Sequence, residues 1–529
     1  MKIQYTQFLL VLLIATSGCV KKNFFTSTPV TDPAIYKQLQ ESPGSIDSVT
    51  VKAGSHYESG IVHRFFWGTH YRPVWSAPVT VPLFDMSTTK GPLKVEKLGG
   101  GFQTTSITLK DSTGFTYALR SLDKDPVAVV PKGIRKTFVA NILRDQTSAI
   151  NPYASLVVPG LAKAAGIPHS TPKLVYVVPN DSSFGEHTKR ISDRLMMIEE
   201  KFEDTVSITP MLGNAVDIAN SKKVLNSRYG DDDHFIDQTA FAKARLLDLL
   251  INDWDRHEGQ WDWAKYEIEK ENVYRPIPKD RDNTFFRFQD GVIPWIFSRN
   301  WAIRKFESFD DDFNDVEALM INSEFLDQRA LAQVTRQQLD SLAKQMQTEI
   351  TDAVIEEAAR QFPASVYELE GERTIKKLKS RRDQLPKAAE QFYKVLAKEV
   401  LVVGNDKEDL FEVKRLNDQE TEVVVRRKSD DKVVYRRIFY TSETSKISLY
   451  GLAEDDEFKI SGEADKGIMI NIIGGRGEDE IKDSSKVKGW KKMTRVYDTK
   501  RGTVIEGGPE TKDRTKHDVR IHAFDREGY

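Results

Sequence analysis

Residues 246–286 read LLDLLINDWDRHEGQWDWAKYEIEKENVYRPIPKDRDNTFF. The stretch continues an apolar helix in which Phe241, Ala244, Leu247, Leu250 and Ile251 recur at helical spacing, and it breaks at Asn252-Asp253. A polar loop, Trp254-Asp255-Arg256-His257-Glu258-Gly259-Gln260, leads into an aromatic strand, Trp261-Asp262-Trp263. A charged turn and a second strand over 274–278 then deliver Lys279-Asp280-Arg281-Asp282-Asn283. A hairpin of this kind folds the chain back on itself, so Asp255 is expected to meet Asp280 and Asp282.

Outward from this stretch, the chain divides by composition. Residues 1–19 have one early lysine, an apolar run over 8–14 and small residues before Cys19, the pattern of a secretory signal peptide that is too short to span a membrane. Gly18-Cys19 resembles the end of a bacterial lipobox, and Cys19 is the only cysteine, so it is expected to carry lipid and no disulfide can form within the mature chain. Residues 20–50 are polar and read as a tether. The 529 residues suffice for about three domains. Lys+Arg and Asp+Glu number 77 and 79, so no net field favours nucleic acid. No internal repeat is evident.

Residues 51–95, rich in aromatic and β-branched residues, read as short strands or extended segments. His56, His63 and His70 are evenly spaced there, but an extended segment need not place them on one face. Gly99-Gly100-Gly101 lies between two strands, where backbone amides can face phosphate. A triple glycine alone is usually just a hairpin turn. The following strand carries Arg120, with Lys124 as the nearest lysine. Helices are expected within 136–166, with Asp145 a candidate partner for the basic strand residue; a solvated helix face serves equally well. Strands are expected over 173–178 and 196–202. The latter run, which holds Glu199, suits either an adenine-binding edge or a core strand.

Residues 203–238 read as irregular. Thr335 and Gln338 form a capping box, after which one helix is expected to run up to Pro363. A second is expected over 373–398, interrupted at Pro386. From residue 400 the apolar period changes to two, which marks an all-β domain over 401–529. Within it, 474–481 matches one nonapeptide calcium repeat; because such sites need stacked repeats, the segment reads as a turn, with calcium the lesser reading.

Asp255-Arg256-His257 resembles the catalytic triplet of atypical kinases of the HipA and CotH kind. Gln260 falls five residues on, where kinases place Asn, and Asp280, Asp282 and Phe285 resemble the metal-binding end of the CotH pattern. Tyr117-Ala118-Leu119-Arg120 stands where kinases have Val-Ala-Ile-Lys, with Arg in place of Lys. The segments 99–104 (GGGFQT), 119–126 (LRSLDKDP), 151–154 (NPYA), 253–258 (DWDRHE) and 277–282 (IPKDRD) also resemble the middle of larger bacterial envelope proteins, which often carry a calcineurin-like phosphoesterase domain before this region and an outer-membrane surface-antigen barrel after it. No phosphoesterase signature precedes residue 96, and no barrel strands are expected within this sequence. The resemblance implies an α+β, two-lobed kinase-like domain, with an N-lobe over 96–202 and a helical C-lobe over 203–400. It also implies Mg²⁺ at Gln260, Asp280 and Asp282. ATP or another nucleotide would lie against Gly99–Gly101, Arg120, Lys124, Asp145 and Glu199, with Asp255 and His257 catalytic.

Three functional classes follow. The first is phosphoryl transfer to an unknown hydroxyl. The second is a non-catalytic, lipid-anchored envelope module, with the membrane and an outer-membrane barrel protein as partners. The third, glycoside hydrolysis by Asp255 and Asp280, leaves the glycine turn and basic strand without a role.

Overall fold

The computed structural model describes residues 24–25, 29–99, 104–133, 135–299 and 301–528. The central stretch has the expected order. A helix, Gln238–Leu250, is capped by Asp237 and buried on nearly every side. Strands β10 (Trp261–Ile268) and β11 (Glu271–Pro278) form an antiparallel hairpin in continuous register from Trp261↔Pro278 to Ile268↔Glu271. Its two-residue turn, Glu269-Lys270, has both residues at positive φ, the twist that a tight hairpin needs. Strand β8 (Asp217–Asn220) pairs with β10, and β9 (His234–Ile236) pairs with β11.

Above this hairpin lies a five-stranded sheet in the order β3-β4-β5-β7-β6, all antiparallel: β3 Lys94–Gly99, β4 Thr104–Lys110, β5 Thr116–Lys124, β6 Lys173–Val177 and β7 Arg194–Lys201. The helix Phe138–Gln146 follows β5, with Thr137 as its cap. Below the hairpin lie the helices Arg336–Glu349, Asp352–Ala359, Ala364–Asp383 and Leu385–Lys398, whose apolar faces join the main core around Gln238–Leu250. The expected α+β domain, with a five-stranded sheet on one side of the hairpin and helices on the other, is thus present, and an all-β domain follows it.

Several local expectations are corrected. Residues 61–67 form a helix, Ile61–Trp67, where extended chain was expected. Residues 33–41, assigned to a tether, form a helix capped by Asp32, and Tyr36 donates to Asp193 at 2.8 Å. Residues 203–238 contain the helix Ser221–Gly230 as well as β8 and β9. The helix begun by the Thr335–Gln338 capping box ends at Glu349, because Thr351 caps a new helix by accepting from Val354 N at 3.3 Å. Pro386 falls in the first turn of Leu385–Lys398, where proline loses no helical hydrogen bond.

The C-terminal domain is a flattened, mainly parallel β-solenoid. One sheet runs β12 (Glu399–Val403), β16 (Lys446–Ala453), β19 (Met469–Arg476), β22 (Thr494–Val496) and β24 (Thr511–Asp513), and the other β15 (Val433–Tyr440), β14 (Glu420–Arg427), β13 (Asp409–Arg415), β17 (Glu457–Ser461), β20 (Glu480–Asp483) and β23 (Val504–Glu506). Ile447 pairs with Ile470 and Phe458 with Ile481, each a step of 23 residues, so the domain is an internal repeat that the sequence reading missed. The two sheets enclose Val402, Phe411, Leu449, Phe458, Ile472 and Ile481, with Phe411 stacked on Phe458 at 4.6 Å.

Candidate active site

The hairpin returns the chain beside its starting loop. Lys279 N donates to the Gln260 carbonyl at 3.1 Å, after which Asp280 adopts a left-handed φ of 58° that aspartate tolerates. Its carboxylate pairs with Arg120, and Asp282 pairs with Lys124. Both basic residues come from β5, so these ion pairs join the upper sheet to the loop after the hairpin. Arg120 also pairs with Glu199, which accepts from Ser170 Oγ at 2.8 Å. Two cations therefore face three carboxylates. Burial and the neighbouring Asp280 push Asp282 up to about 7, against the pull of Lys124. Burial alone would raise Asp280, but Arg120 and Lys124 outweigh it and hold Asp280 well below the usual carboxylate range.

Asp255 lies next to this group, held by two amides that the sequence reading did not single out. Asn322 donates to its Oδ1 at 2.8 Å and Asn283 to its Oδ2 at 3.3 Å; the Asn283 amide also donates to Asp282 at 3.0 Å. Asn283 therefore links Asp255 to Asp282. Its place in the quoted loop was a weak signal, whereas Asn322 is distant in sequence. His257 caps the turn that contains Gln260: its Nδ1 accepts from Gly259 N at 3.1 Å, and its Nε2 lies 3.3 Å from the Gln260 amide. Gln260 is buried, with its carbonyl also taken by Arg256 at 3.0 Å.

The loop is fixed from beneath by buried charge. Arg245, Arg256 and Arg281 face Asp248, Asp253 and Asp327, with five of the six side chains fully shielded and Arg281 nearly so. Arg256 also donates to the Lys279 carbonyl at 2.8 Å and lies over the Trp261 ring at 4.6 Å. It thus ties the loop to both ends of the hairpin. Burial would raise Asp248, but Arg281, Arg256 and Arg245 together hold it below its ordinary range. Arg245 and Asp248 lie one helical turn apart, whereas Asp327 and Arg281 come from distant segments. Arg381 donates to the carbonyls of Leu249 and Leu250 at 2.6 and 2.9 Å, which satisfies the helix end from which the loop departs.

One expected partnership is corrected. Asp145 does not pair with Arg120 or Lys124. It receives a bidentate pair from Arg72 at 2.8 and 2.7 Å and lies 3.2 Å from His63. Arg72 reaches it because the 57–75 segment meets the C-terminal end of the helix Phe138–Gln146, where the Gln146 amide also donates to the Trp67 carbonyl at 3.3 Å. His70 lies apart from His63, between Ser148 and the Phe288 carbonyl. Gly99 ends β3, while Gly100, Gly101 and Cys19 lie outside the described residues.

No family model and no curated protein matches the chain. Among solved structures it is similar to the Helicobacter pylori proinflammatory kinase CtkA, at 13% identity and TM-score 0.30, over 59% of this chain and 98% of that one. It is also similar to HipA of Shewanella oneidensis MR-1, from a complex with HipB and operator DNA, at 10% identity and TM-score 0.19, over 58% and 67% of the two chains. Likenesses at this level carry no further inference, and the site stands on its own geometry.

Proposed function

We propose that this cleft is a nucleotide- and divalent-metal-binding site for phosphoryl transfer to a hydroxyl acceptor. The observation that carries the reading is the paired contact of β5 with the loop after the hairpin, Arg120 with Asp280 and Lys124 with Asp282, beside Asp255. The donor set fits a hard cation: two carboxylates and a glutamine amide, with Asp282 raised first by burial and then by the Asp280 charge beside it. Asp280, Asp282 and Gln260 would hold Mg²⁺, which when bound neutralises charge on nucleotide phosphates. Arg120 and Lys124 would then exchange their carboxylate partners for phosphate oxygens. Asp255, fixed by Asn283 and Asn322, would accept a hydrogen bond from the acceptor hydroxyl and orient it. Calorimetric titration of residues 20–529 with ATP, with and without Mg²⁺, tests this. Metal-dependent binding supports the reading, and its absence with ATP, other nucleotides and Mn²⁺ overturns it.

The second reading is a non-catalytic envelope module. It is favoured by the way the cleft already satisfies itself through the Arg120 and Lys124 pairs. On either reading we propose a lipid anchor at Cys19, supported by the apolar run and Gly18-Cys19, with the outer membrane as the site of attachment and a barrel protein of that membrane as a partner.

A further inference from the structure

The solenoid corners repeat a residue pair that the cleft does not use. Gly404, Gly451 and Gly474 each precede an aspartate at the same spacing: Asp409, Asp456 and Asp479. The parallel registers stack them. Val403 pairs with Tyr450 and Tyr450 with Ile473, one residue before the glycines. Leu410 pairs with Glu457 and Glu457 with Glu480, one residue after the aspartates. Each aspartate folds back onto its own glycine, where a Cβ would overlap its Oδ2. Asp456 Oδ1 accepts from Asp409 N at 2.8 Å and Asp479 Oδ1 from Asp456 N at 3.0 Å, which ties each coil to the next. In the following coil, two residues past the Ile472–Val496 pairing, Asp498 replaces the glycine, and its Oδ2 crowds the same face of Gly474 as that of Asp479.

These aspartates are at most 1% exposed. Yet Oδ2 of Asp456 has no hydrogen-bond partner among the described residues, and Oδ2 of Asp479 and of Asp498 face each other, with only a shared proton able to bridge them within the protein. A buried carboxylate without a counter-charge is strongly unfavourable, and two face to face are more so. The Gly474 carbonyl lies on the same side of Gly451 as Asp456 Oδ2, so main-chain oxygen joins the column. We propose that this solenoid corner binds calcium, with Asp479 and Asp498, which meet over Gly474, as its carboxylate ligands and main-chain oxygen of the corner beside them. Among the described residues no three acidic, histidine or cysteine side chains form a metal cluster. Backbone oxygen and water would therefore complete the shell, which suits the six to eight flexible oxygen ligands of calcium better than the octahedron of magnesium. The corner sequence Gly474-Gly475-Arg476-Gly477-Glu478-Asp479 is of the nonapeptide calcium type, and the corners stacked on it keep its first glycine and its aspartate.

The test is to treat residues 20–529 with EGTA and titrate them with CaCl₂, by calorimetry and by thermal unfolding. Calcium is expected to bind and to raise Tm by about 5 °C. The shift should vanish in D479N and D498N, which keep side-chain shape, and survive in D280N, which alters only the cleft. In EGTA, D498N is expected to melt no lower than wild type, because a like-charge contact has gone. No binding heat and no Tm shift overturns the proposal, as does a shift that persists in both corner variants. If calcium has no effect and Tm rises on acidification towards pH 6, Asp479 and Asp498 share a proton instead, which also overturns it.

Discussion

Lys124 forms an ion pair with Asp282, 158 residues further along the chain and on the other side of the cleft. The pair joins the end of β5 to the loop after the hairpin; Lys124 is buried, whereas Asp282 is a quarter exposed and, raised to about 7, can take a proton when its partner is lost. Lys124→Met is therefore expected to lower stability only modestly, by roughly 1 kcal/mol, in urea unfolding. It should also weaken metal-dependent nucleotide binding at least about tenfold, since about 1.4 kcal/mol of lost phosphate interaction suffices for that. Unchanged stability and unchanged affinity together would remove this pair from the site.

Asp280 and Asp255 are expected to separate binding from turnover. Asp280→Ala should abolish metal-dependent nucleotide binding in calorimetry. Asp255→Ala should leave that binding largely intact and lower phosphoryl transfer by roughly 10²–10⁴-fold, because its proposed partner is the acceptor hydroxyl. Equal loss of binding in both variants would contradict the division of roles.

The buried network beneath the loop predicts a large structural effect. Asp248→Asn leaves Arg245, Arg256 and Arg281 facing only Asp253 and Asp327. A destabilisation of roughly 3–5 kcal/mol is expected from the shift in denaturant midpoint. A loss below about 1 kcal/mol would show that the network is not a support for the loop.

His70 is expected to make the fold acid-sensitive. Burial lowers it to about 4, against the pull of Asp290; its Nδ1 lies 2.9 Å from Ser148 Oγ and its Nε2 3.1 Å from the Phe288 carbonyl. Between about 4 and 6.5 the unfolded chain binds the extra proton and the folded one does not. This contribution is therefore complete above about pH 6.5 and is lost as pH falls towards 4, by up to about 3 kcal/mol. His70→Gln should flatten unfolding stability across that window, and an unchanged slope would assign the acid sensitivity elsewhere.

The lipid anchor has a separate test. Cys19→Ser is expected to release the protein into the soluble envelope fraction or to leave the precursor unprocessed. A variant that fractionates and migrates like wild type would end the lipoprotein reading.

Local pattern was enough to foresee the helix ahead of Asp255, the hairpin after Gln260 and the capping box at Thr335. Each rests on short-range periodicity or on a bond between near neighbours, such as Thr335 N to Gln338 Oε1 at 2.8 Å. The same local signals failed at Ile61–Trp67, where aromatic and β-branched residues argue for extended chain but packing against Val292–Phe297 helps to hold a helix. Partners across space were settled only by the tertiary fold. Asp145 belongs to Arg72 rather than Arg120, and Asp255 is held by Asn322 from a helix-rich segment far downstream. An ion pair or amide contact depends on how elements dock, and sequence spacing does not encode that docking. The solenoid was hidden for a related reason. Its corners share only a glycine and an aspartate, the β14–β15 hairpin (Glu420–Arg427 and Val433–Tyr440) separates the first corner from the second, and only parallel strand register brings the three together.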